Sequence, residues 1–444
     1  MIGMIGLSLT RKAERFFTKI FKGGLFYLNH VERDFMGVAV ADERAERTEV
    51  CIVGKSPYGW FMLRWPEGKI RNGIGGCSDE ETPVLVNSSC QWGPLAICFE
   101  GVILNRSELL KQYKKKVLLK ESDHYLVACL LQESKNAVEG IERLVQEVEG
   151  SYALLILTPE AIYAVRSPDG HWPLVVGEAE QGVMIASESS GFERLGFTHT
   201  FDLKPGQVVR LADGQIESLE QFPVSNWQIC SLLWVFGTWP SAVFAGLPVL
   251  TVRKQLGHFL ADEDLNEQLL PHIIVSFPGG QSCALGYRHH FQLAQVKGIL
   301  PTSPVNEEFW QEYPYITDPT TLEESATFLP QFEKPSRYEG STLIVVENAI
   351  YRSTTAYLTL LHDLRRRNFG AIHLRIASPQ SIRSCRWRKE TDRDKERVIL
   401  NRIFASRESS QLQGLASVRF NRVEVLKKII GEAICTDCLG DCLG

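Results

Sequence analysis

The residues best able to bind a metal or to act as nucleophiles are the cysteines, of which the chain has 11. Cys435 and Cys438 form a Cys-x-x-Cys pair near the C-terminus, and Cys442 follows them. Thiolates at this spacing bind zinc or iron, although one such pair is a weak signal. The cysteine count is odd and the N-terminal segment lacks the pattern of a secretory signal. We therefore expect free core thiols or metal ligands rather than structural disulfides.

The elements that position these thiols belong to a chain of ordinary globular composition. The 444 residues are 44% hydrophobic and 23% charged, with a net charge of −5. This balance does not indicate a nucleic-acid binder or a polybasic membrane protein. At roughly 100–200 residues per domain, the length predicts two or three domains. No uninterrupted apolar run reaches the about 20 residues of a membrane-spanning helix, so we expect a cytoplasmic protein.

Residues 1–228 have the pattern of a unit rich in β-strands. Short apolar runs bounded by glycine, proline or charged residues recur, as in Ser151–Leu157 and Gly182–Ala186, and such runs are typical of strands. Residues 123–132 and 137–148 instead repeat apolar side chains with the 3.6-residue period of a helix. Many strands with two helices in mid-chain predict an α+β sandwich.

Residues 229–406 have a different pattern. His272–Phe277, Ser341–Val346 and Ala371–Ala377 predict three strands, and a helix is predicted from about Thr354 to Arg367. A strand, a loop, a helix and a strand in that order form a βαβ unit and favour a parallel sheet.

Three further features complete the organisation. Residues 301–338 are rich in proline, glutamate and threonine and predict a long loop or insertion. Residues 407–444 predict a helical, basic-leaning tail that ends in the cysteines. His289 and His290 fall on a predicted helix, where neighbouring side chains diverge by about 100°, so we interpret them as surface residues.

The order of these segments resembles the amidophosphoribosyltransferases, also called glutamine phosphoribosylpyrophosphate amidotransferases. The similarity is carried by segments from both halves, namely Glu149–Leu155, Ala164–Leu174, Ile185–Ser189, Asp202–Val209, Ala284–Tyr287, Tyr351–Thr355 and His373–Pro379. The resemblance implies an α+β N-terminal-nucleophile-type αββα sandwich over residues 1–228. It further implies an α/β type I phosphoribosyltransferase-like domain over residues 229–406, followed by the tail with the cysteine cluster.

The resemblance also implies that the glutaminase residues are largely replaced. The family's nucleophilic cysteine corresponds to Ile2, which has no nucleophilic atom, and the arginine that clamps the substrate corresponds to Ser78. The oxyanion-hole turn corresponds to Phe99–Gly101, so the Glu100 carboxylate would stand beside a developing negative charge. Asp123 matches the acid that binds the glutamine amine. We expect no glutamine hydrolysis.

The acids and loops that bind phosphoribosylpyrophosphate in the family are also changed. The two adjacent acids that hold the ribose read Glu347-Asn348. The pyrophosphate loop reads Phe277–Gly280 and the basic stretch reads Pro301–Pro304, so the cationic charge expected beside a diphosphate is missing. Bound magnesium is not expected.

The phosphate-binding turn keeps part of its character. It reads Arg352-Ser353-Thr354-Thr355, in which both threonines can cap a helix and bind a phosphate through its N-terminus. Ser353 in place of the family's glycine hinders close approach of the backbone. The residues predict at most weak binding of a nucleotide or phosphate, and a plain helix N-cap is the simpler interpretation.

Some family members carry a [4Fe–4S] cluster held by four cysteines, and the resemblance places Cys230, Cys385, Cys435 and Cys438 at the matching positions. Zinc is the alternative occupant of such a thiolate set. The competing interpretation is a group of unrelated core thiols and a frayed tail. Cys442 is a spare thiol that could substitute for one ligand.

Three functional hypotheses follow. The favoured one is a catalytically inactive or strongly altered homologue that retains the cluster and has a structural, regulatory or partner-binding role. The second is a working amidophosphoribosyltransferase of purine biosynthesis that uses glutamine or ammonia. The third is a different nucleotide or sugar-phosphate enzyme in the remodelled transferase cleft. A homo-oligomer or a complex with an unknown protein is expected, without nucleic acid or membrane.

Overall fold

The computed structural model describes residues 3–28, 35–42, 47–54, 69–78, 82–86, 94–113, 122–276, 279–291, 299–300, 339–350, 364–366, 369–406 and 414–441. The chain divides into two compact units. The first comprises residues 1–229 and 243–245, and the second comprises residues 230–242 and 246–444. No helix in the described ranges is long and apolar enough to cross a bilayer.

The first unit contains two antiparallel sheets. Its strands are β1 (Gly3–Leu9), β2 (Phe35–Asp42), β3 (Arg47–Gly54), β4 (Ile70–Ser78), β5 (Val84–Val86), β6 (Leu95–Ile103), β7 (Gly150–Leu157), β8 (Ile162–Arg166), β9 (Val175–Ala179), β10 (Gly182–Ala186), β11 (Thr198–Asp202), β12 (Gln207–Ala212) and β13 (Gln215–Gln221). One sheet has the order β11-β9-β10-β1-β4-β2-β3, and the other has the order β13-β12-β8-β7-β6-β5.

Helices cover the outer faces of these sheets. They are α1 (Phe17–Leu28), α2 (Arg106–Tyr113), α3 (Asp123–Gln132) and α4 (Ala137–Glu147). Helix α1 packs on β1 and β4, while α3 packs on β6. One apolar core lies between the sheets and a second lies under α3 and α4, which confirms the predicted αββα sandwich.

The two predicted mid-chain helices lie where the apolar period placed them. Ser122 begins α3 as its N-cap, with its side chain accepting a hydrogen bond from the backbone of Tyr125. Asn136 begins α4 in the same way, accepting from Glu139. Capping satisfies one of the backbone N–H groups that a helix start leaves without a partner, so the sequence sets both starts locally.

The second unit is built on a parallel sheet. The strands that follow β13 along the chain are β14 (Ile229–Cys230), β15 (Val243–Phe244), β16 (Leu247–Pro248), β17 (Ile273–Ser276), β18 (Ile299–Leu300), β19 (Thr342–Glu347), β20 (Ala371–Ile376), β21 (Gln380–Ser381), β22 (Ser417–Phe420), β23 (Ile434–Cys435) and β24 (Leu439–Gly440). Of these, β15 belongs to the first unit. The helices are α5 (Val249–Asn266), α6 (Gln281–His290), α7 (Asp392–Ala405) and α8 (Val423–Ile430). The sheet has the order β18-β17-β19-β20-β22, and its pairings are all parallel.

The C-terminal segment differs from the predicted helical tail. It supplies β22, the edge strand of the parallel sheet, and then α8 and the two short strands β23 and β24. The segment is therefore part of the second unit's sheet rather than an appended helix. The helix predicted from about Thr354 to Arg367 lies outside the described residues, apart from residues 364–366.

Candidate functional site: a cysteine centre and a strand-end cleft

Two short strand pairs bring the C-terminal segment to the cysteines of the second unit. Strand β23, which contains Cys435, pairs with β14, which contains Cys230. The backbone N–H and the hydroxyl of Ser231 both donate to the carbonyl of Cys435, at 3.3 and 2.8 Å. Strand β24 pairs with β21, and the N–H of Ile382 donates to the carbonyl of Cys438 at 3.0 Å. The backbone thus holds Cys435 and Cys438 beside Cys230 and the segment that leads to Cys385.

The thiols of Cys385, Cys435 and Cys438 lie near enough to Cys230 to act on its titration. Burial raises the pKa of Cys230 well above its usual value, and the thiols of Cys385, Cys438 and Cys435 raise it further. Burial also raises the pKa of Cys435 to about 12 and that of Cys438 to about 11, with Cys385 adding to both. Neighbouring thiolates would repel one another, so the thiols of Cys230, Cys435 and Cys438 are protonated at neutral pH, and a metal would have to displace these protons.

This donor set fits a soft metal or an iron–sulfur cluster, because converging thiolates are the ligands that both prefer; Cys435 and Cys438 are buried, and Cys230 and Cys385 are partly buried. In the described chain, no three or more side chains of histidine, cysteine, aspartate or glutamate are gathered as a site for a single metal ion. The guanidinium groups of Arg397 and Arg388 lower the pKa of Cys438 and so offset part of the effect of its burial. Cys442 lies outside the described residues.

The position of the family's glutaminase site can be located from β1. Strand β1 begins at Gly3, which is paired with Cys77 of β4, and Ser78 follows Cys77 as a buried residue. Glu100 is a buried residue of β6, paired with Ala153 of β7. Ile2 itself lies outside the described residues. The described part of this region therefore contains the buried hydroxyl of Ser78 and the buried carboxylate of Glu100, which the resemblance predicts at the clamping and oxyanion positions.

Asp123 lies in the first turn of α3, and its carboxylate already has a cationic partner. Its Oδ1 accepts a hydrogen bond from Nε of Arg106 at 2.7 Å, and both side chains are partly exposed. Arg106 begins α2 and was not recognised as a site residue from the sequence, because arginine at a helix start carries no distinctive signal. A substrate amine would have to compete with this guanidinium for the carboxylate.

The carboxyl ends of β17 and β19 form the second candidate site. Ser276 ends β17 and Glu347 ends β19, and Asn348 follows directly. All three are buried. In open parallel sheets, ligands bind at this edge, beyond the carboxyl ends of the strands. Ser276 was not predicted as a site residue, although its place at the end of a buried strand is the signal that could have identified it.

The acid and amide at the end of β19 are partly used to hold the backbone. Oε1 of Glu347 accepts from the N–H of Asn348, and Oδ1 of Asn348 accepts from the N–H of Ala349, both at 2.8 Å. The side-chain N–H₂ of Asn348 and the hydroxyl of Ser276 make no hydrogen bond within the described residues. A buried polar group without a partner costs free energy, so the Asn348 N–H₂ and the Ser276 hydroxyl are available to hydrogen-bond a polar ligand.

Glycine is required beside this edge. A Cβ on Gly280 would stand 2.5 Å from the carbonyl oxygen of Val346 and 3.0 Å from Cα of Glu347, so only glycine lets α6 begin against the end of β19. The four residues of the predicted phosphate turn, Arg352 to Thr355, lie outside the described residues, as do residues 277–278 and 301–338.

The sequence of the chain is similar to those of known amidotransferases. A family profile described as a glutamine amidotransferase domain matches residues 79–194. The amidophosphoribosyltransferase of Methanocaldococcus jannaschii is 26% identical over 451 aligned positions, which cover 94% of this chain and 92% of that protein. The amidophosphoribosyltransferase of Bacillus subtilis is 26% identical over 375 positions, covering 83% of this chain and 76% of that protein.

Two solved structures superpose on nearly the whole chain. The glutamine phosphoribosylpyrophosphate amidotransferase of B. subtilis, in complex with ADP and GMP, superposes with a TM-score of 0.77 at 22% identity, covering 99% of this chain and 95% of that one. A structure described as the allosteric regulatory enzyme of purine biosynthesis gives 0.76 at 21% identity, with 98% and 95% covered. The chain thus has the two-part fold of these enzymes and resembles the amidophosphoribosyltransferases as a divergent relative along most of its length.

Proposed function

We propose that this chain is a catalytically inactive or strongly altered amidophosphoribosyltransferase homologue that retains a [4Fe–4S] cluster and has a structural, regulatory or partner-binding role. The observation that carries the proposal is a contrast between sites. Four cysteines from distant parts of the sequence converge, while most of the residues that the resemblance assigns to the two family active sites are replaced. Retained ligands beside altered catalytic residues favour a role for the metal centre that does not depend on catalysis.

Cys230, Cys385, Cys435 and Cys438 would hold the cluster. When bound, it supplies iron–thiolate bonds and a redox-active centre. The C-terminal arm needs such a bond, because β23 and β24 are only two residues long and each pairs with a strand of two residues. Strands this short contribute few backbone hydrogen bonds, so metal ligation would add much of the energy that fixes the arm.

Loss of glutamine hydrolysis is supported by three substitutions and one ion pair. Ile2 lacks a nucleophile, Ser78 lacks the clamping charge, and Glu100 places a carboxylate where an oxyanion would form. Asp123 is already paired with Arg106.

The capacity to bind a small ligand remains at the end of β19, where the amide of Asn348 and the hydroxyl of Ser276 would bind a polar ligand. The ADP and GMP in the B. subtilis relative favour a nucleotide or sugar phosphate as that ligand.

The test is metal analysis of protein purified without oxygen. We expect a brown protein with iron and sulfide in equal amounts, and the Cys385→Ser variant should lose the colour. Cys129→Ser is the matched control, because this partly exposed cysteine lies on α3 of the first unit and should leave the colour unchanged. Zinc without sulfide would assign the alternative occupant, and protein with neither metal would overturn the proposal.

The alternative of a working amidophosphoribosyltransferase is favoured by one observation, the similarity to named enzymes over nearly the full chain. It requires pyrophosphate release that depends on both phosphoribosylpyrophosphate and either glutamine or ammonia. We expect no such release, because Asn348 is neutral where the family has a second acid. Release well above a control without protein would make the alternative correct.

A further inference from the structure

Helices α5 and α6 of the second unit pack with their backbones in contact. A Cβ on Gly257 of α5 would stand 1.9 Å from the carbonyl oxygen of Cys283, and a Cβ on Gly286 of α6 would stand 1.9 Å from the carbonyl oxygen of Lys254. Any other residue at either position would push the helices apart. The residues beside these glycines are therefore held unusually near the opposite helix.

Three histidines meet at this crossing. His258 follows Gly257 on α5, while His289 and His290 lie three and four residues after Gly286, on the same side of α6. The ring centroid of His258 lies 5.8 Å from that of His289 and 5.7 Å from that of His290. The sequence predicts His289 and His290 to be surface residues, and His289 is exposed while His290 is partly exposed. Nothing local in the sequence indicates that a third histidine lies across from them.

A carboxylate completes the group. Asp262 lies four residues after His258, so both side chains stand on the same face of α5. Its Oδ1 lies 2.8 Å from Nε2 of His290, and both side chains are partly exposed, at 49% and 30%. Two imidazoles and a carboxylate from two neighbouring helices are thus gathered where ions in solution can reach them.

We propose that His258, Asp262 and His290 form a binding site for a divalent transition-metal ion, such as Ni²⁺ or Zn²⁺, that bridges α5 and α6. The spacing of the rings fits this chemistry. With a metal–nitrogen bond of about 2.0–2.1 Å, each ring centroid lies about 3.2 Å from the ion, so two rings on a tetrahedral ion have centroids about 5.2 Å apart. The observed 5.7 Å between His258 and His290 is half an ångström wider. The side chains do not yet close around an ion, and a small rotation of the partly exposed His258 ring closes the site.

Imidazoles bind metal ions in their neutral form, through a ring nitrogen. An ion bound here would replace the contact between Nε2 of His290 and Oδ1 of Asp262. Two nitrogens and one oxygen leave further positions for water or for a ligand from another molecule.

Titration calorimetry of the full-length protein with Ni²⁺ near neutral pH tests the site. We expect the His258→Asn and His290→Asn variants to bind Ni²⁺ at least about tenfold more weakly than the unaltered protein, in line with the loss of one ligand. His289→Asn is the matched control, since it removes the adjacent imidazole that does not contact Asp262, and its affinity should be unchanged. Mg²⁺, which prefers oxygen ligands, should not bind there.

A second readout separates this site from the cysteine centre. Cu²⁺ bound by imidazoles gives nitrogen hyperfine splitting in its paramagnetic resonance spectrum, and this signal should persist in Cys385→Ser and disappear when His258→Asn and His290→Asn are combined. Circular dichroism of each variant establishes that it is folded, and His258→Gln provides a second substitution. Equal Ni²⁺ affinity in all folded histidine variants would overturn the proposal, as would loss of the splitting in Cys385→Ser alone. Neither outcome bears on whether the cysteines hold a cluster.

Discussion

At the scale of single residues, the positions that the resemblance assigns to a glutaminase site lie on regular strands. Strand β1 pairs with β4 and β6 pairs with β7, and Ser78 and Glu100 are buried residues of β4 and β6. The Ile2→Cys variant should therefore stay without measurable ammonia release from glutamine. A thiol alone still lacks the clamping charge and the oxyanion donor, and the Asp123 carboxylate is paired with Arg106.

The measurement for this variant is ammonia production against a control without protein. The triple variant Ile2→Cys, Ser78→Arg, Glu100→Asn tests whether the scaffold can be reactivated. A large gain in Ile2→Cys alone would contradict the prediction, because it would mean that other residues supply the missing charge and donor.

A single histidine should link the stability of the second unit to pH. Burial, together with the nearby guanidinium groups of Arg375 and Arg419, lowers the pKa of His373 to about 4, although Asp264 opposes this effect. Its Nδ1 lies 2.8 Å from the hydroxyl of Ser417, which also accepts a hydrogen bond from Arg375. The Nδ1 of a neutral ring can accept the proton of this hydroxyl, whereas a protonated ring cannot.

The sign follows from comparing the two states. The ordinary pKa of 6.5 applies in the unfolded chain, so below that pH the unfolded state binds more protons than the folded one. The contribution of His373 to the free energy of unfolding should thus be complete above pH 6.5 and be lost as the pH drops toward 4. Chemical denaturation at a series of pH values measures it. His373→Gln should flatten this part of the profile, and an unchanged slope in that variant would count against the assignment.

At the scale of elements, a buried ion network joins α5 to the parallel sheet. The carboxylate of Asp264 on α5 accepts hydrogen bonds from Nε and Nη2 of Arg375 on β20, at 2.6 and 2.8 Å, and from the hydroxyl of Tyr287 on α6 at 2.6 Å. Arg419 on β22 donates to it as well. Asp264 and Arg375 are fully buried, so neither charge can be solvated by water if its partner is removed.

Asp264→Asn should therefore lower the free energy of unfolding by about 3–5 kcal/mol, the usual cost of leaving a buried charge without its partner. Chemical denaturation measures the change. Glu267→Gln is the control, because this pair with Arg419 has a carboxylate that is 62% exposed and should contribute about 1 kcal/mol or less. Equal effects of the two substitutions would show that the network is solvated.

The elements that the sequence predicted are those determined by local patterns. Helices α3 and α4 combine an apolar period with a capping side chain, and β7 and β10 are compact apolar runs. Strand β22 was missed, because its four residues, Ser417 to Phe420, include an arginine whose buried partner, Asp264, lies 155 positions away. Such pairing depends on the tertiary fold, and no local pattern contains it.

The same distinction applies to the candidate site. Residues implied by the resemblance could be located in the sequence, but Arg106 and Ser276 owe their importance to neighbours that only the fold brings near. Asp123 could be recognised as an acid in the expected position, whereas its pairing with Arg106 could not. The three-histidine crossing is a similar case, since it depends on two glycines that let α5 and α6 touch.

At the scale of the whole chain, the cysteine centre links distant segments of the second unit. Its four cysteines span residues 230 to 438, and the arm that carries Cys435 and Cys438 is held by few backbone bonds. Two of those bonds report on the centre directly. The N–H of Ser231 donates to the carbonyl of Cys435, and the N–H of Ile382 donates to the carbonyl of Cys438.

Removal of iron with a chelator should therefore speed hydrogen exchange at the amides of Ser231 and Ile382 by about tenfold or more, since the arm then opens without global unfolding. Mass spectrometry or NMR of the protein before and after chelation measures this exchange. The N–H of Ala377, which donates to the carbonyl of Glu347 at 2.8 Å within the sheet region, is the internal control and should stay protected. Cys385→Ser should reproduce the effect of chelation, because both leave the arm with its short strands alone. Equal protection at all three amides, with and without iron, would show that backbone pairing and burial are sufficient to hold the arm and that the four cysteines have another purpose.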